Sequence, residues 1–239
     1  MIDHFATKRR LPVGAEILPD GKGVHFRVWA PRRKRVEVVF DSGPAPAPAP
    51  IELKPEENGY FAGVADAKAG ALYRYRLDGG GALPDPASRF QPEGPHGPSE
   101  VIDPNTFKWT DADWKGRPPS QLIVYEMHVG TFTPEGTWAG AERQLPELQR
   151  LGVNTLEVMP VADFPGRFGW GYDGVNLFAP CRLYGRPDDF RRFVDEAHKL
   201  GIGVILDVVY NHFGPDGHYI REFTEHYFSK KYENEWGDP

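Results

Sequence analysis

The sequence predicts an all-β sandwich followed by a parallel α/β sheet, and three observations predict it. Short apolar–polar alternations fill the first hundred residues, strand–helix–strand periodicity fills the end, and a proline-rich stretch without periodicity lies between them. The units that follow are a sandwich over 1–100, a connection over 101–119 and an α/β part over 120–239.

In the first unit Val24, Phe26 and Val28 alternate with His25 and Arg27, and Val36, Val38 and Phe40 alternate after the turn Pro31–Arg35. Tyr60 to Val64 and Leu72 to Leu77 add two strands, closed by a turn at Asp78–Gly81. Such spacing of half-polar strands reads as two facing sheets. The cluster Arg32–Arg33–Lys34–Arg35 reads as a solvated hairpin turn. Gly43–Pro50 holds four of the 24 prolines and reads as an extended loop inside the sandwich. Eight more fall between Pro84 and Pro119, which marks the connection. Its Phe90, Phe107, Trp109 and Trp114 predict that it packs down. Trp29 and Trp109 are open to glycan contact or to core packing, with packing favoured.

In the last unit Leu122–Val129 is nearly continuous in apolar residues, as a strand buried on both faces is. Ala141, Leu145, Leu148 and Leu151 predict a helix stopped by Gly152, and Thr155–Met159 a second strand. Phe190, Phe193, Val194, Ala197 and Leu200 predict another helix, and Ile202–Val209 a third strand. Right-handed βαβ units follow, and both doubly wound and barrel sheets fit.

Composition removes other classes. The 28 Lys+Arg against 34 Asp+Glu leave a net charge of −6, with no electrostatic basis for a nucleic-acid partner. No stretch approaches the roughly 20 apolar residues of a membrane span, and MIDHFATKRR has no apolar core of leader length. The single cysteine, Cys181, forms no intrachain disulfide and has no base marked for it, so a soluble, cytoplasmic setting is expected. No HxxxH or CxxC pair predicts a metal, and no cofactor is expected. Aromatics at 13% exceed what is ordinary, which suits sugar platforms as well as a core.

Ligands of parallel α/β folds collect at the carboxyl ends of strands. Two constellations lie there. In DVVYNH, Asp207, Asn211 and His212 follow an apolar strand, and the histidine either meets sugar hydroxyls or ties down a loop. In WGYD, Trp170 and Tyr172 stand between glycines in a long loop, as a stacking wall or as a loop anchor.

DVVYNH after a third strand resembles the first conserved region of the α-amylase family, glycoside hydrolase family 13. YEMHVGTFTPEGTW and WGYDGVNLFAP narrow the resemblance to members with a family 48 carbohydrate-binding-type module. PDPASRFQPEGPHGPSEVIDP and VVYNHFGPDGHYI narrow it to the trehalose-releasing branch, and branching and isoamylase-type debranching members match these segments less well. The resemblance spans residues 10–239. It implies an immunoglobulin-like sandwich, then the first three β/α units of an incomplete (β/α)8 TIM barrel. It also implies retaining hydrolysis of the α-1,4 bond next to the terminal trehalose of maltooligosyltrehalose.

By the same resemblance Tyr172 stacks on the sugar, His212 hydrogen-bonds its hydroxyls, and Trp170 and Asp207 face substrate. Asn211, Asp173 and His128, with Glu126, support the site. The family's three catalytic acids follow strands four, five and seven and map onto no residue here. From Pro118 the chain holds 239 − 117 = 122 residues, against about 250 for a barrel. Tyr227–Pro239 resembles the stretch before the nucleophile strand. The chain alone is therefore expected to be inactive, with maltooligosyltrehalose or an α-glucan as partner and the open third strand as an associating edge. A truncated branching or debranching enzyme and a non-catalytic glycan-binding protein are the other readings.

Overall fold

The computed structural model describes residues 9–41, 48–229 and 231. Most of the proline run 43–50, the first eight residues and the tail 232–239 lie outside the described residues.

The sandwich is built from β1 (Gly14–Ile17), β2 (Val24–Trp29), β3 (Val36–Phe40), β4 (Ile51–Glu52), β5 (Lys54–Pro55), β6 (Tyr60–Ala65), β7 (Leu72–Leu77), β8 (Ala82–Leu83) and β9 (Ser99–Glu100). One sheet runs β1-β2-β6-β5; the other runs β4-β3-β7-β8, with β9 also on β7. All pairs are antiparallel. The alternation read from the sequence puts Val24, Phe26 and Val28 against Val36, Val38, Tyr73, Tyr75 and Leu77. Phe26 and Tyr73 meet edge-on at 4.9 Å, an arrangement that aromatic quadrupoles favour.

The arginine-rich turn is more than solvated. Arg33 pairs with Asp78 and donates to the carbonyl of Glu222, Arg32 pairs with Glu225, and Arg35 bridges Glu37 and Glu52. Trp29 is half-buried, packing against Tyr60, His226 and Tyr227. In the connection Trp114 stacks on His198 at 4.5 Å, whereas Trp109 is 48% exposed against Phe107. Packing thus accounts for Trp29 and only in part for Trp109.

The second unit starts with β10 (Val124–Met127), shorter than the run Leu122–Val129. Val124, Tyr125 and Glu126 are exposed, contrary to a strand buried on both faces, because β10 is an edge strand among the described residues with β11 as its single strand neighbour. Helices α1 (Val129–Phe132), α2 (Trp138–Glu142) and α3 (Leu145–Arg150) follow. The single helix expected through Ala141 and Leu151 is split. Pro146 has no N–H to donate, so it fits a first helical turn and not an interior, and α3 begins one residue before it. Next come β11 (Thr155–Val158), β12 (Ala162–Asp163) and β13 (Asn176–Pro180), then α4 (Pro187–Lys199), β14 (Gly203–Leu206) and α5 (Ile220–Phe223). β10, β11 and β14 form a parallel sheet in that order, while β12 and β13 form a hairpin inside the stretch read as loop. Trp138, fully buried and stacked on Phe190 at 4.1 Å, fastens α2 to α4 beneath the sheet.

The sandwich also buries two groups with opposed titration. Arg9 Nη1 lies 2.5 Å from His25 Nδ1, which must accept, so the ring is neutral. Burial, reinforced by Arg9, pushes His25 down to about 4. Asp85 is fully buried, accepts from Tyr73 Oη at 2.6 Å and from the Ala87 N–H at 2.7 Å, and is pushed up by burial to about 6. The histidine's contribution to stability is complete above its unfolded value near 6.5 and is lost as pH falls through about 4. The aspartate's is complete below 3.8 and is lost as pH rises through about 6. The two slopes oppose each other between these values. Asp85→Asn should make the thermal midpoint fall more steeply than the parent's on acidification from pH 6.5 to 4, and His25→Asn less steeply. Identical slopes in all three proteins would refute the assignment.

Candidate functional site

The three parallel strands end level, with Met127 beside Val158 and Val158 beside Leu206. The ladder runs one step further, since Met159 N–H donates to Met127 O at 3.0 Å and Asp207 N–H to Val158 O at 2.9 Å. Three loops therefore leave one rim, and they carry His128, the WGYD segment and the Asp207–His212 segment.

His128 knits the first two together. Its Nε2 lies 2.9 Å from Gly169 O, which can only accept, so Nε2 carries the proton. Tyr184 Oη lies 3.0 Å from the same nitrogen, and Nδ1 accepts from Thr131 Oγ1 at 3.0 Å. Trp170 packs against the imidazole at 5.0 Å between centroids, the two rings tilted by 56°, and stays 60% exposed.

The WGYD segment is fixed by close backbone approach. Gly171 has φ +96°, and a Cβ there would stand 2.1 Å from Pro160 O, so only glycine fits. A Cβ on Gly214 would stand 2.2 Å from Asp173 O, while its N–H donates to Gly174 O at 3.0 Å. Tyr172 emerges 46% exposed. His212 donates from Nε2 to the Tyr172 carbonyl at 2.9 Å. The loop-tying reading of that histidine is thus what these bonds show. Its Nδ1, the remaining acceptor, is buried with no protein partner.

Asp207 has no side-chain hydrogen bond among the described residues and borders a cavity of about 870 Å³ with Leu206, Tyr210, Phe178, Arg89 and Arg191. Asn211 and Asp173 are exposed, Asp173 contributing its carbonyl to the close approach of Gly214. Glu126 is exposed on the open sheet face beside Glu157, away from the aromatic wall. Tyr172, His212, Trp170 and His128 are therefore connected, whereas Asp207 and Asn211 stand apart from them.

Two anchors carried no sequence signal. Asp163 is fully buried and pairs with Arg182 at 2.8 Å, and Arg182 also donates to Phe164 O at 3.0 Å and Gly166 O at 3.1 Å. That fork ties the hairpin of β12 and β13 to the loop leading to Trp170. Cys181 beside it is buried, with burial pushing its thiol up to about 12, so it is inert as a nucleophile. Among the described residues no group of three His, Cys, Asp or Glu side chains is placed to hold a metal, and no helix is long and apolar enough to cross a membrane.

Known proteins share this layout. Residues 12–105 match carbohydrate-binding module 48 (isoamylase N-terminal domain), and residues 101–237 match the alpha amylase catalytic domain. The chain is 45% identical over 228 residues to a malto-oligosyltrehalose trehalohydrolase of Deinococcus radiodurans, covering 95% of this chain and 37% of that protein. It is 46% identical over 220 residues to one of Saccharolobus solfataricus, covering 91% and 38%. A 1,4-alpha-glucan branching enzyme of Xanthomonas oryzae is 37% identical over 230 residues, covering 88% and 32%. A crystal structure described as an alpha amylase of Salmonella typhimurium superposes with a TM-score of 0.88 at 44% identity, over 95% of this chain and 38% of that one. The chain thus spans well under half the length of each.

Replacing Arg182 by leucine leaves the Asp163 carboxylate buried and unpaired, at a cost of about 3–5 kcal/mol. Urea denaturation should show that loss. A loss below about 1 kcal/mol, the range of an exposed pair, would show that the fork is dispensable.

Proposed function

Because the chain belongs to the alpha-amylase family, we propose that it forms part of an enzyme that hydrolyses the α-1,4-glucosidic bond next to the terminal trehalose of maltooligosyltrehalose. The observation that carries this reading is the junction of Tyr172 and His212, an exposed ring on a backbone whose carbonyl accepts from an imidazole at the strand ends. The relatives at 45% and 46% identity, named trehalohydrolases, support the specific bond. The relative named a branching enzyme supports a second reading, transfer rather than hydrolysis on an α-glucan.

In this reading the apolar C–H face of a glucosyl ring packs on Tyr172, and Trp170 extends the wall. The N–H that His212 gives to the Tyr172 carbonyl is shared with a sugar hydroxyl in this reading, and the unpaired Asp207 carboxylate accepts further hydroxyls. His128, Asp173 and Asn211 support these groups. A retaining displacement needs a carboxylate to attack the anomeric carbon and a second acid, about 5 Å away, to protonate the departing oxygen. Asp207 cannot fill both roles. The 239 residues therefore bind and orient, and the catalytic pair is assigned outside them. The proposed units are 1–100, 101–119 and 120–239. A cytoplasmic setting suits a chain whose single cysteine is a buried free thiol.

The purified chain should bind maltooligosyltrehalose in a calorimeter and release no trehalose from it. Tyr172→Ala should weaken binding about fivefold or more, as loss of a ring contact worth ~1 kcal/mol or more implies. Absence of binding by the parent chain would sink the reading, and trehalose release at a rate near that of complete relatives would overturn the assignment of the acids. Product analysis of the complete enzyme on maltooligosyltrehalose and on branched glucan separates hydrolysis from transfer.

β14 is an edge strand among the described residues, with Ile205 and Leu206 exposed on it and Val208 exposed just after it. Such an edge pairs readily with another chain. Light scattering should show a mass that rises with concentration, and a constant monomer mass would exclude this association.

A further inference from the structure

Among the segments of the first module that face the rim, such as Pro84–Pro86 beside Val175 and Phe213, the tight turn Gly94–Gly97 touches both site loops. Gln91, fully buried, donates from Nε2 to Gly94 O at 3.3 Å and Gly97 O at 3.2 Å, and accepts from Ser99 Oγ at 2.6 Å. Ser99, also fully buried, accepts the Asp85 N–H at 3.0 Å, which roots the turn in the sandwich. A buried, fully bonded amide of this kind leaves a turn little freedom.

Both site loops lie against that turn. On one side a Cβ on Gly94 would stand 3.0 Å from Cζ of Arg182, the residue that holds the loop leading to Trp170. On the other, a Cβ on Gly217 would stand 2.6 Å from Cβ of Pro95. His96 completes this contact, with Nδ1 2.6 Å from Tyr219 Oη and Nε2 3.3 Å from Asp216 Oδ2. Residues 216–219 follow His212 by a few positions, and Gly214 between them is pressed on Asp173. A second anchor lies further along, where Phe223 completes the sandwich core and Arg33 Nε donates to Glu222 O at 3.0 Å.

We propose that the turn Gly94–Gly97 is a positioning element that sets the geometry of Tyr172 and His212 from the sandwich side, with His96 as its positioning residue. The module then serves the site as a brace on its loops. The contact path runs from Gln91 through His96 to Tyr219, through Gly214 to Asp173, and through His212 to Tyr172. The effect on sugar affinity rests on the reading of this rim as a glucan site; the effect on loop order does not.

The test uses the 239-residue chain. Hydrogen exchange is followed by mass spectrometry, and maltotetraose is titrated against tryptophan fluorescence. His96 is an exposed residue, so His96→Ala should fold normally. It should speed exchange of amides 211–219 about fivefold or more, as loss of one or two hydrogen bonds from a locally opening segment implies. Residues 24–29 and 72–77 should stay as protected as in the parent. Maltotetraose affinity should fall by a similar factor, and His96→Gln should recover part of both effects. Gln91→Ala, which frees the turn from inside, should reproduce the exchange pattern. Unchanged exchange at 211–219 in His96→Ala, or a rise spread evenly over the sandwich strands, would overturn the proposal. A parent chain that binds no maltotetraose would instead count against the glucan reading, with the exchange comparison still deciding the brace.

Discussion

The parallel register that sets Val158 between Met127 and Leu206 is the constraint on which the rest depends. A parallel ladder brings successive strand ends to one rim, because each crossover returns the chain to the same starting side. Asp207, the loop after Met159 and the helix after His128 all leave within one step of that line. A slip of one residue in β14 would turn Asp207 to the other face and carry Gly214 away from Asp173. The closeness of Gly214 to a carbonyl oxygen therefore reports that the register is met, and the junction of His212 with Tyr172 follows from it.

Much of this was legible in the sequence where it depends on neighbours along the chain. Alternation at Val24–Val28 and Leu72–Leu77 gives strands with the expected buried faces, since side-chain period and burial are one signal there. The 3.6-residue period around Phe193 and Ala197 gives a helix in the same way. Periodicity failed where it was asked for more than position. The apolar run at Val124–Met127 indicates a strand, but burial on both faces is a property of what lies above the sheet. Helix spacing from Ala141 to Leu151 ignored Pro146, whose missing N–H interrupts the ladder.

The site was legible in part for a similar reason. DVVYNH and WGYD mark polar and aromatic groups at strand ends. Asp163 and Arg182 are 19 residues apart, and His96 and Tyr219 are 123 apart. Each is an ordinary polar residue until folding brings its partner near, so no local pattern could single it out. The arginine-rich turn shows the opposite error. Read alone it is a solvated hairpin, and only a segment some 190 residues later supplies Glu222 and Glu225.

The aromatic excess resolves into three uses. Phe26, Tyr73 and Tyr75 fill the sandwich, and Trp138 with Phe190 fills the second core. Trp29 packs where the sandwich meets the chain after α5, and Trp114 where the connection meets α4. Phe168, Trp170 and Tyr172 remain exposed on a loop whose backbone is clamped at Gly171, Gly214 and Arg182. Exposed aromatics on a mobile loop would lose conformational freedom on binding, and that loss would oppose affinity. Here the backbone is held during folding by contacts that need no ligand, so a ring meeting a sugar has only its own rotation left to restrict. In the proposed site, the glycines and buried ion pair that look remote from any chemistry are thus what would make an exposed ring an effective binding surface.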